Sequence, residues 1–244
     1  GVNTAGISVA RQAPTGTAFV SYRTQTERDF IFNIPGSACG CFSARQIDAT
    51  LLSQCHHVHI MGSSLFSFRM IEAMHKVIRK VKQNKGTVSF DPNIRKEMLN
   101  IPEMEQAFDY ILEYTDIFLP SESEIAHFSS SKHQSEASVI DELLSNGIAH
   151  VVVKRGPQGA SHYQRIAGSL HELHVKGSGC EVIDPTGAGD CFGATFVCLL
   201  LAGYPIRQTL ELANASGAIA VSNKGPMEGL SSLTQLKQFL SVAG

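Results

Sequence analysis

The chain is 244 residues long, 43% hydrophobic and 17% charged, with a formal net charge of −2. That length suits one sizeable α/β domain, or one domain with a small appendage, and a pI near 6.6 gives no electrostatic reason to expect a nucleic-acid or membrane-surface partner. No apolar run approaches the ~20 residues that span a bilayer; the longest, Phe196 to Ala202, is of helix-core length, and no basic then apolar leader opens the sequence.

In chain order, Thr17–Tyr22 and Asp29–Ile34 read as short strands joined by the polar stretch Arg23 to Arg28, a hairpin pattern. The six cysteines lack metal or disulfide spacing, and Cys39-Gly-Cys41 has no second pair. They are expected to be reduced thiols in a cytoplasmic protein. From about Ala44, strands alternate with helices. His57–Met61 reads as a strand, and Leu65 to Asn84 as an amphipathic helix with Phe66, Met70, Ile71, Met74, Val77 and Ile78 on one face, ended by Gly86. Thr87–Phe90, Asp116–Leu119 and His150–Lys154 read as strands, with helices at Ile101–Tyr114 and Glu136–Ser145, the latter capped by Asn146-Gly147. Such alternation implies a parallel sheet covered on both faces. Three helices follow at Gly187–Ala202, Ile206–Val221 and Leu233–Val242. Basic runs such as Arg79-Lys-Val-Lys82 read as solvated surface.

The chemistry concentrates at Gly187-Ala-Gly-Asp190. It is a glycine turn opening an apolar helix. Small residues let successive backbone N–H groups converge, and the helix N-terminus adds partial positive charge, so the turn suits an anion such as phosphate. Asp190 falls in the first helical turn beside that anion. It could accept a proton during phosphoryl transfer, a step contributing about 10²–10⁴-fold. It could equally be an ordinary N-terminal helix charge, with the glycines only making the turn. Local physics leaves both open.

The run Asp184-Pro-Thr-Gly-Ala-Gly-Asp190-Cys-Phe192 resembles the second signature of the ribokinase-like (PfkB) carbohydrate kinases, and it is not a Walker loop. Val151 to Ala160 resembles the family's strand and nucleotide-binding turn, and Leu212 to Ala218 its adenine-side helix. Ser89-Phe-Asp91-Pro-Asn93-Ile-Arg95 and Phe118 to Glu124 resemble two further segments. The resemblance implies an α/β, ribokinase-like three-layer α/β/α fold with a mostly parallel central sheet and a small β lid. Residues 15–40 would form a partial lid and 41–244 one continuous core. The implied branch holds the fructokinases, 2-keto-3-deoxygluconate kinases and tagatose kinases.

The same resemblance implies ATP, Mg²⁺ and a monovalent cation such as K⁺ as cofactors. Asp190 would be the base, and the N–H groups of Gly187, Ala188, Gly189 and Asp190 the anion hole. Lys154, Gly156 and Gly159 would line the triphosphate, and Asn214 and Ala218 the adenine. Asn93 and Arg95 would lie near phosphate or sugar. Glu124 would place Mg²⁺ through water. Asp184, Thr186 and Gly225 would hold the monovalent cation. A small-molecule sugar is the expected partner, with a homodimer through the lid.

Residue by residue there are blander readings. Glu124 could be a helix N-terminal acid, Lys154 a solvated strand end, Asn214 an interhelical hydrogen bonder, and Met61-Gly62-Ser-Ser64 a strand end with its cap. Ser121 stands where many relatives have Asn. The family's first signature is not found, so the resemblance implies that the first strands and part of the sugar pocket lie outside this sequence. A protein of only these residues is expected to bind ATP weakly and turn over slowly or not at all. In sugar-acid kinases the lid carries Tyr-x-Arg; the matching Phe32-Asn33-Ile34 offers no cation, which favours a neutral ketohexose such as fructose or tagatose. The alternatives are a 2-keto-3-deoxygluconate kinase, a nucleoside kinase of the same family, or a non-catalytic sensor of the same fold. A nicotinamide-dependent Rossmann enzyme is disfavoured for want of a Gly-x-Gly-x-x-Gly turn.

Overall fold

A computed structural model describes residues 3–22, 28–95, 102–131 and 134–243. The chain divides into two compact units, Gly1–Thr115 and Asp116–Gly244. Among the described residues no helix is long and apolar enough to cross a membrane.

The first unit opens with the expected hairpin, β1 (Thr17–Tyr22) antiparallel to β2 (Arg28–Asn33). Its connecting stretch at 23–27 lies outside the described residues. Phe19 sits opposite Ile31, and both are largely exposed. The segment after β2 is knotted by buried Ser37, whose Oγ donates to Ile34 O at 2.6 Å and accepts from Gly40 N at 3.2 Å. A short helix, α1 (Ala49–Ser53), which the sequence pattern did not suggest, starts where Asp48 Oδ1 accepts from Thr50 N and Leu51 N.

Strands β3 (His57–Met61) and β4 (Thr87–Asp91) pair in parallel, with Met61 opposite Asp91. The crossover between them is α2 (Phe68–Gln83), begun by the Ser67 cap and burying Ile71, Ala73, Ile78 and Val81. The helix therefore starts three residues later than the periodicity implied, because the Ser67 hydroxyl takes Met70 N. At its far end Asn84 Nδ2 donates to the carbonyls of Leu52, Ser53 and Cys55, tying α2 to the turn before β3. Helix α3 (Pro102–Glu113) follows, and Phe108 meets Phe90 of β4 edge-on at 5.5 Å.

The second unit carries a β-α-β crossover. Strands β5 (Ile117–Phe118) and β6 (His150–Lys154) are parallel, joined through α4 (Glu136–Ser145). Residues 160–175, which carried no strand assignment, form an antiparallel hairpin of β7 (Ala160–Ile166) and β8 (Ser169–Val175), paired to β6 through β7. The three closing helices match the expectation: α5 (Ala188–Leu201), α6 (Ile206–Val221) and α7 (Leu233–Ala243).

Side chains alternate across these strands. Val152 and Ala160 join Phe192, Phe196, Val197, Leu210 and Ala213 in one core, so α5 and α6 cover one face. Val151 and Val153 point to the opposite face. A second cluster of Leu199, Leu212, Ala215 and Leu236 seats α7. The burial of these side chains, at about 25 cal/mol per Å² of apolar surface, is what fixes the N-terminus of α5 above the ends of β6 and β7.

Candidate active site

The start of α5 is set by backbone geometry. Gly187 has φ +83°, and a Cβ there would stand 2.7 Å from Pro226 O. Only glycine satisfies both the left-handed torsion and the close approach. The next residues turn directly into helix, so the first-turn N–H groups of α5 have no intrahelical acceptor and face outward. Asp190 lies in that first turn, exposed, while its neighbour Cys191 is buried and its thiol is pushed up by burial and then by the Asp190 charge.

The loop before α5 is strapped by buried Asp184. Its Oδ1 accepts from Thr186 N at 3.0 Å and its Oδ2 from Gly225 N at 3.1 Å, joining the two segments that flank the turn. Ile183 N and Asp184 N both donate to Val221 O at the end of α6, which fixes the height of the strap. Gly225, with φ +110°, lies against the Glu228 carboxylate. Asp184, Thr186 and Gly225 are thus brought together. Each Asp184 oxygen holds one main-chain N–H, which fixes the shape of the loop.

Lys154 reaches the same place from β6. Its Nζ lies 3.8 Å from the point a Cβ on Gly189 would occupy. A lysine ammonium therefore stands over the opening turn of α5, adding a full positive charge to the helix-terminal field. The backbone of Lys154 also sets the neighbouring segment: Lys154 N donates to Pro120 O at 2.9 Å and Glu122 N donates to Lys154 O at 3.0 Å. Within that segment Ser121 N and Ser121 Oγ both donate to Glu124 Oε2 at 2.7 Å. The hydroxyl at position 121 thus orients the acidic residue, as one arm of an amide would. A carboxylate is the kind of oxygen ligand that a hard cation takes. Among the described residues no group of three His, Cys, Asp or Glu side chains could hold a metal ion.

After Lys154 the chain makes a tight turn. Arg155 N donates to Gly159 O and Gly159 N to Gly156 O. Gly159 has φ +95°, and a Cβ there would collide with Val175 O at 2.1 Å. The turn is therefore pressed onto the end of β8. Asn214 of α6 grips that same end: its Nδ2 donates to Val175 O and Lys176 O, each at 3.1 Å. Ala218, one turn further along α6, is buried. Two residues that sequence reading passed over belong to this arrangement. Gly177 approaches Pro157 O so closely that a Cβ would stand 2.4 Å away. The Arg155 side chain is anchored beside the turn by Glu122 and Glu136.

In the first unit two of the predicted residues, Asn93 and Arg95, lie just past the end of β4. Asn93, with φ +39°, donates from its backbone to Asp91 Oδ1 and from Nδ2 to Met61 Sδ and Ser63 Oγ. Gly62 lets Pro92 approach, since a Cβ there would overlap Pro92 O at 2.0 Å. The segment Gly62–Ser64 is a 3₁₀ turn, while the helix cap is Ser67. Arg95 is half-buried and lines a small depression with Gly62, Asn93 and Phe108. Phe32 is half-buried on β2, opposite Ala18.

Comparison with known proteins supplies a context for this geometry. The pattern of the "pfkB family carbohydrate kinase" family matches residues 1–233. A probable chloroplastic fructokinase-6 of Arabidopsis thaliana is 29% identical over 240 residues, 94% of this chain but 61% of its own length. The chain therefore spans less than two thirds of that relative. An E. coli protein described as a ribokinase II, crystallised with ATP and Mg²⁺, is 48% identical with a TM-score of 0.86, covering 94% of this chain and 72% of that one. A fructokinase of Vibrio cholerae with fructose, ADP and calcium bound is 25% identical with a TM-score of 0.83, covering 98% of this chain and 77% of that one.

Proposed function

Because the chain belongs to the pfkB family of carbohydrate kinases and has the ribokinase-like three-layer α/β/α fold, we propose that it transfers the γ-phosphoryl group of ATP to a hydroxyl of a neutral ketohexose of the fructose or tagatose type. The observation that carries this reading is the approach of Lys154 Nζ to Gly189 at the opening of α5, with Asp190 in the same helical turn. Two sources of positive potential converge on one point there, and a carboxylate stands beside them.

On this reading the transferred phosphoryl sits over the N–H groups of Gly187, Ala188, Gly189 and Asp190. These donors are held in place by the glycine torsion and the Asp184 strap, so they need no reorganisation as charge moves, and removing one donor of this kind costs about 10²–10³-fold in rate. Lys154 draws charge from the bridging oxygen. Asp190 accepts the proton of the attacking hydroxyl. Gly156 and Gly159 line the phosphates through main chain, and Asn214 and Ala218 flank the base. Mg²⁺, placed through water by Glu124, would neutralise the phosphates. Phe32, Asn93 and Arg95 serve the acceptor side. The ketohexose assignment is supported by the fructokinase relatives and by the absence of a cation at Phe32-Asn33-Ile34.

The test is an ADP-release assay of the purified protein against fructose, tagatose, 2-keto-3-deoxygluconate, ribose and nucleosides. A ketohexose is expected to give the highest kcat/KM, and Asp190→Asn to abolish it while ATP still binds. Turnover surviving Asp190→Asn would exclude the base; preference for the keto-deoxy acid would exclude the acceptor.

A further inference from the structure

An arginine in a phosphate-lining turn would ordinarily be expected to grip phosphate. Arg155 does not. Its side chain is only 13% exposed. Nε donates to Ser161 Oγ at 3.1 Å, Nη1 to Glu122 Oε1 at 2.9 Å and to Glu136 Oε2 at 3.2 Å, and Nη2 to Tyr163 Oη at 3.2 Å and to the other oxygen of Glu136. A guanidinium has five donor hydrogens, and here five acceptors of the chain itself meet them. The acceptors are held in turn: Tyr163 Oη donates to Glu172 at 3.0 Å and Ser161 Oγ pairs with His174 Nδ1 at 3.0 Å.

The partners come from three places. Glu136 is in the first turn of α4, Ser161 and Tyr163 are on β7, and Glu122 stands two residues before Glu124. Glu122 is also the residue whose N–H bonds Lys154 O. One cation thus ties the Ser121–Glu124 segment to the Lys154–Gly159 turn by side chain, beside the main-chain tie. The charge is held firmly, since hydrogen bonding to Glu136 raises the Arg155 pKa further above its usual value.

We propose that Arg155 is a positioning residue for nucleotide and metal, acting through Lys154 and Glu124 and touching neither ligand. This rests on the nucleotide-binding reading above. A lysine cannot replace it, because an ammonium offers a point charge where the site uses a planar fork.

The experiment is calorimetric titration of the purified protein with ATP, with and without Mg²⁺, alongside steady-state kinetics and a melting curve. Arg155→Lys is expected to raise the ATP dissociation constant and KM about tenfold, with kcat at saturating ATP changed less than about twofold; tenfold corresponds to about 1.4 kcal/mol. Glu122→Gln, at the exposed end of the network, should leave the melting temperature and metal-free ATP affinity unchanged and raise the Mg²⁺ concentration for half-saturation several-fold. ATP binding with unaltered affinity in both variants overturns the inference alone. So does a parallel loss of kcat, affinity and melting temperature in Arg155→Lys with a silent Glu122→Gln, the result of a purely structural role. Absence of ATP binding by the unchanged protein overturns the nucleotide reading, and the inference with it.

Discussion

Lys154 and Gly189 face each other across the opening of α5, with Nζ 3.8 Å from where a β-carbon at 189 would stand. That distance is ordinary van der Waals contact, so an added methyl would fit the protein and intrude only on the space assigned to phosphate. Gly189→Ala should therefore keep its melting temperature or gain slightly, since alanine is up to about 1 kcal/mol better than glycine inside a helix. Its kcat/KM should fall about 10²-fold through loss of anion-hole access. Paired melting and kinetic measurements check the separation.

Gly159→Ala should behave in the opposite way. The residue has φ +95° and its Cβ would overlap Val175 O at 2.1 Å. Both the turn and the end of β8 must move. Backbone strain of this kind costs about 1–3 kcal/mol, so chemical denaturation should show a clear loss of stability, and titration a weakened ATP affinity.

Asp184→Ala removes the acceptor of two main-chain N–H groups, Thr186 and Gly225. Each buried donor left without a partner costs about 1–3 kcal/mol. The melting temperature should drop and the start of α5 lose amide-exchange protection, with Asp184→Asn recovering part of both.

The histidine pair of β6 and β7, with His162 buried and His150 half-buried, gives a pH dependence. His150 Nδ1 and His162 Nε2 are 2.9 Å apart, within hydrogen-bond distance. His162 is held down to about 3 by burial and then by His150, and His150 is also lowered by burial. Burial disfavours the charged form of both in the fold, whereas in the unfolded chain each takes up a proton as pH falls through its ordinary 6.5. The stability that His162 contributes is therefore fully present above pH 6.5 and lost as pH falls from there toward 3, with His150 acting in the same direction. The limiting slope is about 1.4 kcal/mol per pH unit for each extra proton bound by the unfolded chain. Urea unfolding at pH 7, 6 and 5 should show this decline, and His162→Phe should flatten it.

Most of the fold was legible where period and punctuation agree. The strand–helix alternation from His57 to Lys154 and the three closing helices follow directly from apolar spacing. The β7–β8 hairpin was not legible. Its strands carry His162, Tyr163, Gln164, Arg165, His171, Glu172 and His174 in place of a clean apolar alternation. Its two-residue turn uses Ala167 at φ +50° before Gly168 at φ +83°, and alanine is not a residue that announces a left-handed turn. The glycine turn of α5 was legible because its chemistry is local. The role of Arg155 was not, because Glu122 and Glu136 lie 33 and 19 residues away in sequence and no local pattern couples them. Asn214 falls between the two: its place on α6 was foreseen, while its bonds to Val175 and Lys176 depend on where β8 ends.

Those two bonds bear on recognition of the fuel. An amide whose hydrogens both go to main-chain carbonyls has no donor left with which to interrogate a purine edge. On the proposed reading, Asn214 can meet a purine edge only as an acceptor, through Oδ1, while Ala218 supplies contact surface.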